Sequence, residues 1–149
     1  MKRSIMRSLG VGTILAAGLL AWGAGHPAPA WSDNSCSLKT LKGTYMISCH
    51  GVQGAAQSNF AIAGLEHMHG DGTSNGATTY ADKHNVLHQV PFTVTYTVNP
   101  DCTGTYTATD ENGTVHTDIY IARDGSEFTY VITDAGVVST GFEQRVSQN

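Results

Sequence analysis

Histidine and carboxylate side chains are the first candidates for chemistry in this sequence. Outside the first thirty residues there are six histidines, at 50, 67, 69, 84, 88 and 116. Four of them fall between residues 67 and 88. In an extended Leu65-Glu66-His67-Met68-His69 segment, His67 and His69 share a face about 7 Å apart, close enough to bind one ion. His84 and His88, folded back by a hairpin, would complete a Zn²⁺ or Cu²⁺ set of three or four ligands. A cupin would add a glutamate shortly after the pair, and Gly70 to Gly76 contains none. The default reading is therefore solvent-facing histidines on a β surface, with no cofactor; a zinc or copper site is the alternative.

Glu66 raises a different possibility. If Phe60, Ile62, Gly64, Glu66 and Met68 face inward, a carboxyl is buried, and it must be paired or hold its proton. The opposite register would put Ala61, Ala63, Leu65, His67 and His69 inside. Greater bulk favours the first register, because a strand offers its two faces with period two. His116, Asp118 and Tyr120 also alternate on one face, but Val115, Thr117, Ile119 and Ile121 form the apolar side of that strand. That makes the polar set a solvent face. No nucleophile elbow and no phosphate-binding glycine loop is present.

These residues must be positioned by strands. The chain has 149 residues, with 40% hydrophobic and 13% charged residues, enough for one domain. Coiled coils and disordered polyampholytes have other compositions. No stretch keeps helical spacing over three turns, whereas Thr recurs at alternate positions. Strands are expected near 42–50, 59–69, 76–83, 92–98, 104–109, 114–122, 127–133 and 137–146. Turns are expected at 51–57, at a tip flanked by Asp71-Gly72 and Asn75-Gly76, and at Asn99-Pro100-Asp101. Further turns fall at Glu111-Asn112-Gly113, Arg123-Asp124-Gly125 and Asp134-Ala135-Gly136. Eight short strands in hairpin sequence imply an all-β, eight-stranded antiparallel up-and-down barrel, with a two-sheet sandwich as the alternative.

The first thirty residues read differently. Lys2, Arg3 and Arg7 precede an apolar run from Leu9 to Ala24, and Ala28-Pro29-Ala30 supplies small residues for cleavage. This is the pattern of a secretory signal peptide over 1–30, leaving a barrel domain over 31–149 that is secreted or periplasmic. Removing it takes three of the eight basic residues and none of the twelve acidic ones, so the net charge moves from −4 to −7. An acidic chain with no basic stripe argues against nucleic acid and anionic membrane surfaces as partners. Oligomeric state is not legible. In an oxidising compartment Cys36 and Cys102, at a strand entry and a turn, are the favoured disulfide pair. Cys49 alternates with Tyr45 and Ile47 as a buried strand residue. An intermolecular bridge is the alternative.

The run Cys36-Ser37-Leu38-Lys39-Thr40-Leu41-Lys42-Gly43-Thr44-Tyr45 resembles the opening of many small exported bacterial proteins of unassigned function. Asn99-Pro100-Asp101-Cys102-Thr103-Gly104-Thr105 and Gly136-Val137-Val138-Ser139-Thr140-Gly141 are similar to them too. Such chains resemble calycin-like or allene-oxide-cyclase-like β-barrels. The resemblance implies a closed barrel, and a barrel of this size can hold one small ligand in its mouth. The expected function is non-catalytic binding of a small, partly apolar molecule. Tyr45, Phe60, Met68, Phe92, Tyr96, Phe128 and Tyr130 would form the wall and Glu66 the polar anchor. An isomerase or cyclase acting in the same apolar interior is the catalytic alternative.

Overall fold

The structure is a computed structural model and describes residues 35–148. Residues 1–30, expected from the sequence to be a signal peptide, lie outside the described residues. A short 3₁₀ turn, Leu38–Thr40, leads into eight strands. These are β1 Lys42–Gln53, β2 Ser58–His69, β3 Thr73–Asp82, β4 Val86–Tyr96, β5 Thr103–Asp110, β6 Gly113–Ile121, β7 Glu127–Ile132 and β8 Val137–Ser147. Each strand pairs antiparallel with the next, and β8 returns to pair with β1. The result is a closed eight-stranded up-and-down barrel, not a sandwich. Closure leaves no unpaired edge strand. Among the described residues, no helix is long and apolar enough to cross a membrane.

Alternation decides which side chains enter the barrel. Tyr45, Ile47 and Cys49 of β1, Val90, Phe92, Val94 and Tyr96 of β4, and Thr117, Ile119 and Ile121 of β6 point inward and are buried. In β2, Phe60, Glu66 and Met68 are buried while His69 is exposed, so the bulkier face is the inner one. A one-residue slip would exchange Glu66 for His67 and expose Phe60 and Met68.

Three boundaries differ from the sequence reading. β1 runs on to Gln53, so that residues 51–53, expected in a turn, pair with both β2 and β8. Asn75-Gly76 does not flank a turn; it lies within β3, and the β2–β3 turn is confined to residues 70–72. Gly76 sits opposite both Glu66 and Phe92, where an added Cβ would press on the Phe92 ring at 2.8 Å. The glycine is there for close approach and not for a turn. β4 begins at Val86, six residues before the visible alternation at Phe92. The register against β3 slips between Thr78 and Tyr80, and Gln89 has a φ of 51°. This bulge interrupts the period of two and hides the first half of the strand.

The two ends of the barrel are built differently. At one end, Cys36 forms a disulfide with Cys102, 66 residues away, joining the 3₁₀ segment to the β4–β5 loop. Cys36 N–H also donates to the Pro100 carbonyl at 3.1 Å. Leu41 plugs this end and is fully buried. The Tyr96 hydroxyl donates to the Leu41 carbonyl at 3.0 Å and accepts from Gly70 N–H at 3.2 Å. The three loops here repeat one device: Asp71, Asp101 and Asp124 each accept from the backbone N–H and the hydroxyl of the Thr or Ser two residues on. These bonds hold each carboxyl below the usual aspartate range.

Tyr45 secures the same end. Its hydroxyl donates to the Gly125 carbonyl at 2.6 Å, and burial pushes the phenol up to about 12. The Arg145 guanidinium stacks over its ring at 5.9 Å. Tyr45→Phe keeps the ring and strands a buried carbonyl, so a loss of about 1–2 kcal/mol is expected in urea unfolding. An unchanged midpoint would mean that the Gly125 carbonyl finds another donor.

Candidate functional site

The opposite end, carrying loops 54–57, 83–85, 111–112 and 133–136, is open. A cavity of about 500 Å³ runs inward from it. Its walls are Ile47, Phe60, Ile62, Leu87, Val90, Phe92, Ala108 and Ile132, with the rings of Tyr80, Tyr106 and Tyr130. Ladder register explains this composition: the wall residues are inward positions, with Ile47, Phe92 and Tyr106 near the middle of their strands and the others nearer the mouth. Phe60 and Tyr80 stack at 6.1 Å, and Tyr106 and Tyr130 at 6.4 Å with rings nearly parallel. Room for the Tyr130 ring comes from Gly141 on β8, where any Cβ would collide with it.

Deep in the barrel lie two carboxyl groups. Glu66 and Glu143 are each only 1% exposed. Glu66 accepts from the Tyr106 hydroxyl at 2.9 Å and from the Ser74 hydroxyl, and shares a hydrogen bond with Glu143. Burial is the main cause that raises both carboxyl pKa values, and for Glu143 the neighbouring Glu66 charge raises it further. Two carboxyl groups in contact repel when both are ionised, so the pair favours a shared proton. Glu143 is its donor: Glu66 already receives two other hydrogen bonds, which stabilise its ionised form. Glu143 Oε2 has no hydrogen-bond partner. Glu143 lines the cavity and Glu66 does not.

A second polar contact lies beside the pair. The Tyr130 hydroxyl donates to Cys49, the free cysteine, and burial pushes the Cys49 thiol up. Both residues line the cavity.

The mouth is acidic. Asp82, Asp110 and Asp134 line it, and the cavity lining contains no Lys, Arg or His. Asp82 accepts from the backbone N–H groups of His84 and Asn85 and from the Tyr80 hydroxyl, which hold its carboxyl below the usual range. Asp110 accepts from the N–H groups of Asn112 and Gly113. Asp134 accepts from the N–H of His116 and pairs with its ring at 2.9 Å. Gln53 adds a side-chain bond to Tyr80 at 2.5 Å.

Of the residues expected to form a ligand wall, Phe60, Phe92 and Tyr130 line the cavity. Tyr45, Met68, Tyr96 and Phe128 are packed in the core towards the sealed end. Glu66 reaches the cavity only through Glu143 and Tyr106. His67 and His69 lie on the outer face near the sealed end, their rings 5.2 Å apart. His67 Nδ1 is 3.3 Å from Thr44 Oγ1, and His69 Nε2 is 3.0 Å from Asn75 Oδ1. His84 sits in the β3–β4 loop and His88 early in β4, at the mouth. The hairpin places that loop beside the start of β2, since Asp82 pairs with Phe60. It therefore carries His84 and His88 away from the pair at the end of β2. The structure does not bring the four together, and among the described residues no group of three or more His, Cys, Asp or Glu is placed to hold a metal.

Glu143, Tyr106, Ser74 and the mouth aspartates were not singled out from the sequence. On β8 the bulky residues Val138, Phe142 and Val146 face out, while Ser139, Gly141 and Glu143 face in. Bulk therefore points to the wrong face of this strand. The usable signal was the Gly141-x-Glu143 spacing opposite aromatic Tyr130, with which Gly141 pairs.

No protein-family model matches the chain. No curated protein matches it either. Among solved structures, it is similar to a redesigned β-barrel, mFAP1, bound to DFHBI. That match has 18% identity and a TM-score of 0.52, covering 73% of this chain and 98% of the other. A fluorescence-activating β-barrel made by de novo design matches at 10% identity and a TM-score of 0.51, covering 72% of this chain and 95% of the other. The likeness is one of fold. It places the chain with closed barrels that are small enough to be filled by side chains or to enclose one ligand.

Proposed function

We propose that this protein binds a small, partly apolar molecule inside the barrel, without catalysis, as an exported calycin-like carrier in the periplasm or outside the cell. The observation that carries this reading is the cavity of about 500 Å³, open at one end and walled by aliphatic and aromatic side chains. That volume and lining are those of small-molecule sites, in which apolar walls supply affinity and a few polar groups fix orientation. The sealed end supports it: the disulfide and the buried Leu41 plug hold one mouth closed, so that the barrel is a cup and not a tube. The disulfide also fits an oxidising compartment. The mFAP1 barrel, of the same architecture, is bound to the small molecule DFHBI.

Nile red, a neutral dye that brightens in apolar surroundings, tests the reading. The wild-type protein should bind it one-to-one with a blue-shifted emission. Ala108 is half-buried on the inner face of β5, against the cavity. Ala108→Trp fills part of that space and should weaken binding by at least about tenfold, and Ile62→Trp should do the same from β2. Unchanged affinity in both folded variants, or no binding by the wild type, would remove the cavity as the site.

A further inference from the structure

The binding reading above leaves the chemistry of the ligand open, and the floor and rim of the cavity narrow it. We propose that the cavity takes a small organic cation, a protonated amine on an apolar body, with the ammonium seated against the Glu66–Glu143 pair. The inference rests on the proposed function and deepens it.

Three observations converge. The two carboxyl groups lie in contact at the cavity floor, where a bound cation would favour the ionised form of the pair. The groups facing it are Ser74 and the hydroxyls of Tyr106 and Tyr130, with Cys49 beyond Tyr130; none is a base that could neutralise it. Arg145, two residues along β8, is held at the sealed end by the carbonyls of Asp124, at 2.5 Å, and Lys42, at 3.3 Å. A charge buried without a counter-ion is costly, and an incoming cation relieves that cost.

Second, Glu143 Oε2 is a buried acceptor without a partner, on a residue that lines the cavity. An ammonium donates to it and accepts from nothing, which matches a floor whose remaining hydrogen-bonding capacity is an acceptor. A carboxylate ligand would meet that oxygen and the buried charge with repulsion.

Third, the approach has the same sign as the floor. Asp82, Asp110 and Asp134 line the mouth, outnumbering the nearby Lys83 of the β3–β4 loop and the His116 ring paired with Asp134, and no Lys, Arg or His lines the cavity itself. Asp82 and Asp134 are held in their charged forms by hydrogen bonds that lower their pKa values. Such a field draws cations in and slows the entry of anions. The walls between mouth and floor are apolar, which sets the body of the ligand: an aromatic or aliphatic amine and not a bare inorganic cation.

Three indole probes of matched shape test this by calorimetric titration at neutral pH: tryptamine with an ammonium, tryptophol with a hydroxyl and indole-3-propionate with a carboxylate. The wild-type protein should bind tryptamine at least about tenfold more tightly than tryptophol, and indole-3-propionate more weakly than both. In the Glu66→Gln/Glu143→Gln double variant, confirmed folded by circular dichroism, the preference for tryptamine should shrink while tryptophol affinity changes little. Equal affinity for tryptamine and tryptophol in the wild type would overturn the inference and leave the binding reading standing. An ammonium preference that survives in the double variant would also overturn it. If none of the three probes binds and Nile red does not either, the binding reading falls and takes this inference with it.

Discussion

Replacing Cys36 and Cys102 together by serine should lower the melting temperature by about 15 °C. The bond links residues 66 apart. On the chain-entropy view, opening a loop of that length frees the unfolded chain by about 4 kcal/mol. The native side should weaken as well. Cys36 is the point at which the 3₁₀ segment is tied to the β4–β5 loop, and the Leu41 plug depends on that segment. Thermal unfolding followed at the strand band in circular dichroism reads the change. Adding reductant to the wild-type protein should reproduce it, and Cys49→Ala should still respond to reductant, because Cys49 takes no part in the bond. A shift below about 3 °C in the double variant would show that the sealed end holds without its covalent tie.

The second large effect is a pH dependence set by the buried carboxyls. Glu66 and Glu143 titrate above the ordinary glutamate value of 4.5 in the folded protein. The folded state therefore keeps a proton that the unfolded chain releases. The corresponding stability is fully present below 4.5 and is lost as the pH climbs towards the raised folded value. Glu143→Gln removes this titration while its amide still offers Glu66 a donor. The stability of the variant relative to the wild type should rise by about 1.4 kcal/mol per pH unit above that point. The difference should stop growing once the folded carboxyl has lost its proton. Parallel pH curves for the two proteins would mean that Glu143 is ionised, or solvated, in the fold. The acid side has the opposite sign: Asp71, Asp82, Asp101, Asp124 and Asp134 are held below 3.8, so their contribution is lost as the pH falls beneath that value.

Much of the architecture was legible because period-two alternation and turn chemistry act locally. All eight strands were readable, as was the disulfide, since Cys49 alternates inward with Tyr45 and Ile47 while Cys36 and Cys102 flank strands. The inward register of β2 followed from bulk alone. Bulk misleads where a barrel interior must stay small. β8 places Gly141 and Glu143 inside to make room for Tyr130, and turns Phe142 outward. Glu143 is therefore recognisable only once β1 and β7 are known to flank it.

The candidate site was less legible for the same reason. Glu66 could be recognised as a buried acid, but its partner lies 77 positions away on a strand that pairs with β1 only at closure. A bulge at Gln89 concealed half of β4, including Leu87 and Val90 of the cavity wall. The histidines illustrate the converse. Four close in sequence are separated by the length of β3, because a hairpin brings the start of one strand to the end of the other. Whether an eight-stranded barrel is filled or hollow depends on summed side-chain volumes along every strand, a property that no single segment reveals.

A small molecule bound by this protein should sit in the interior that the open mouth admits. Intermolecular nuclear Overhauser effects between bound Nile red and assigned side chains read that location directly. Contacts to Phe60, Ile62, Ala108 and Ile132, all lining the cavity, are the predicted result. Contacts confined to the exposed outer-face residues Leu65, Val138 and Phe142 would contradict it.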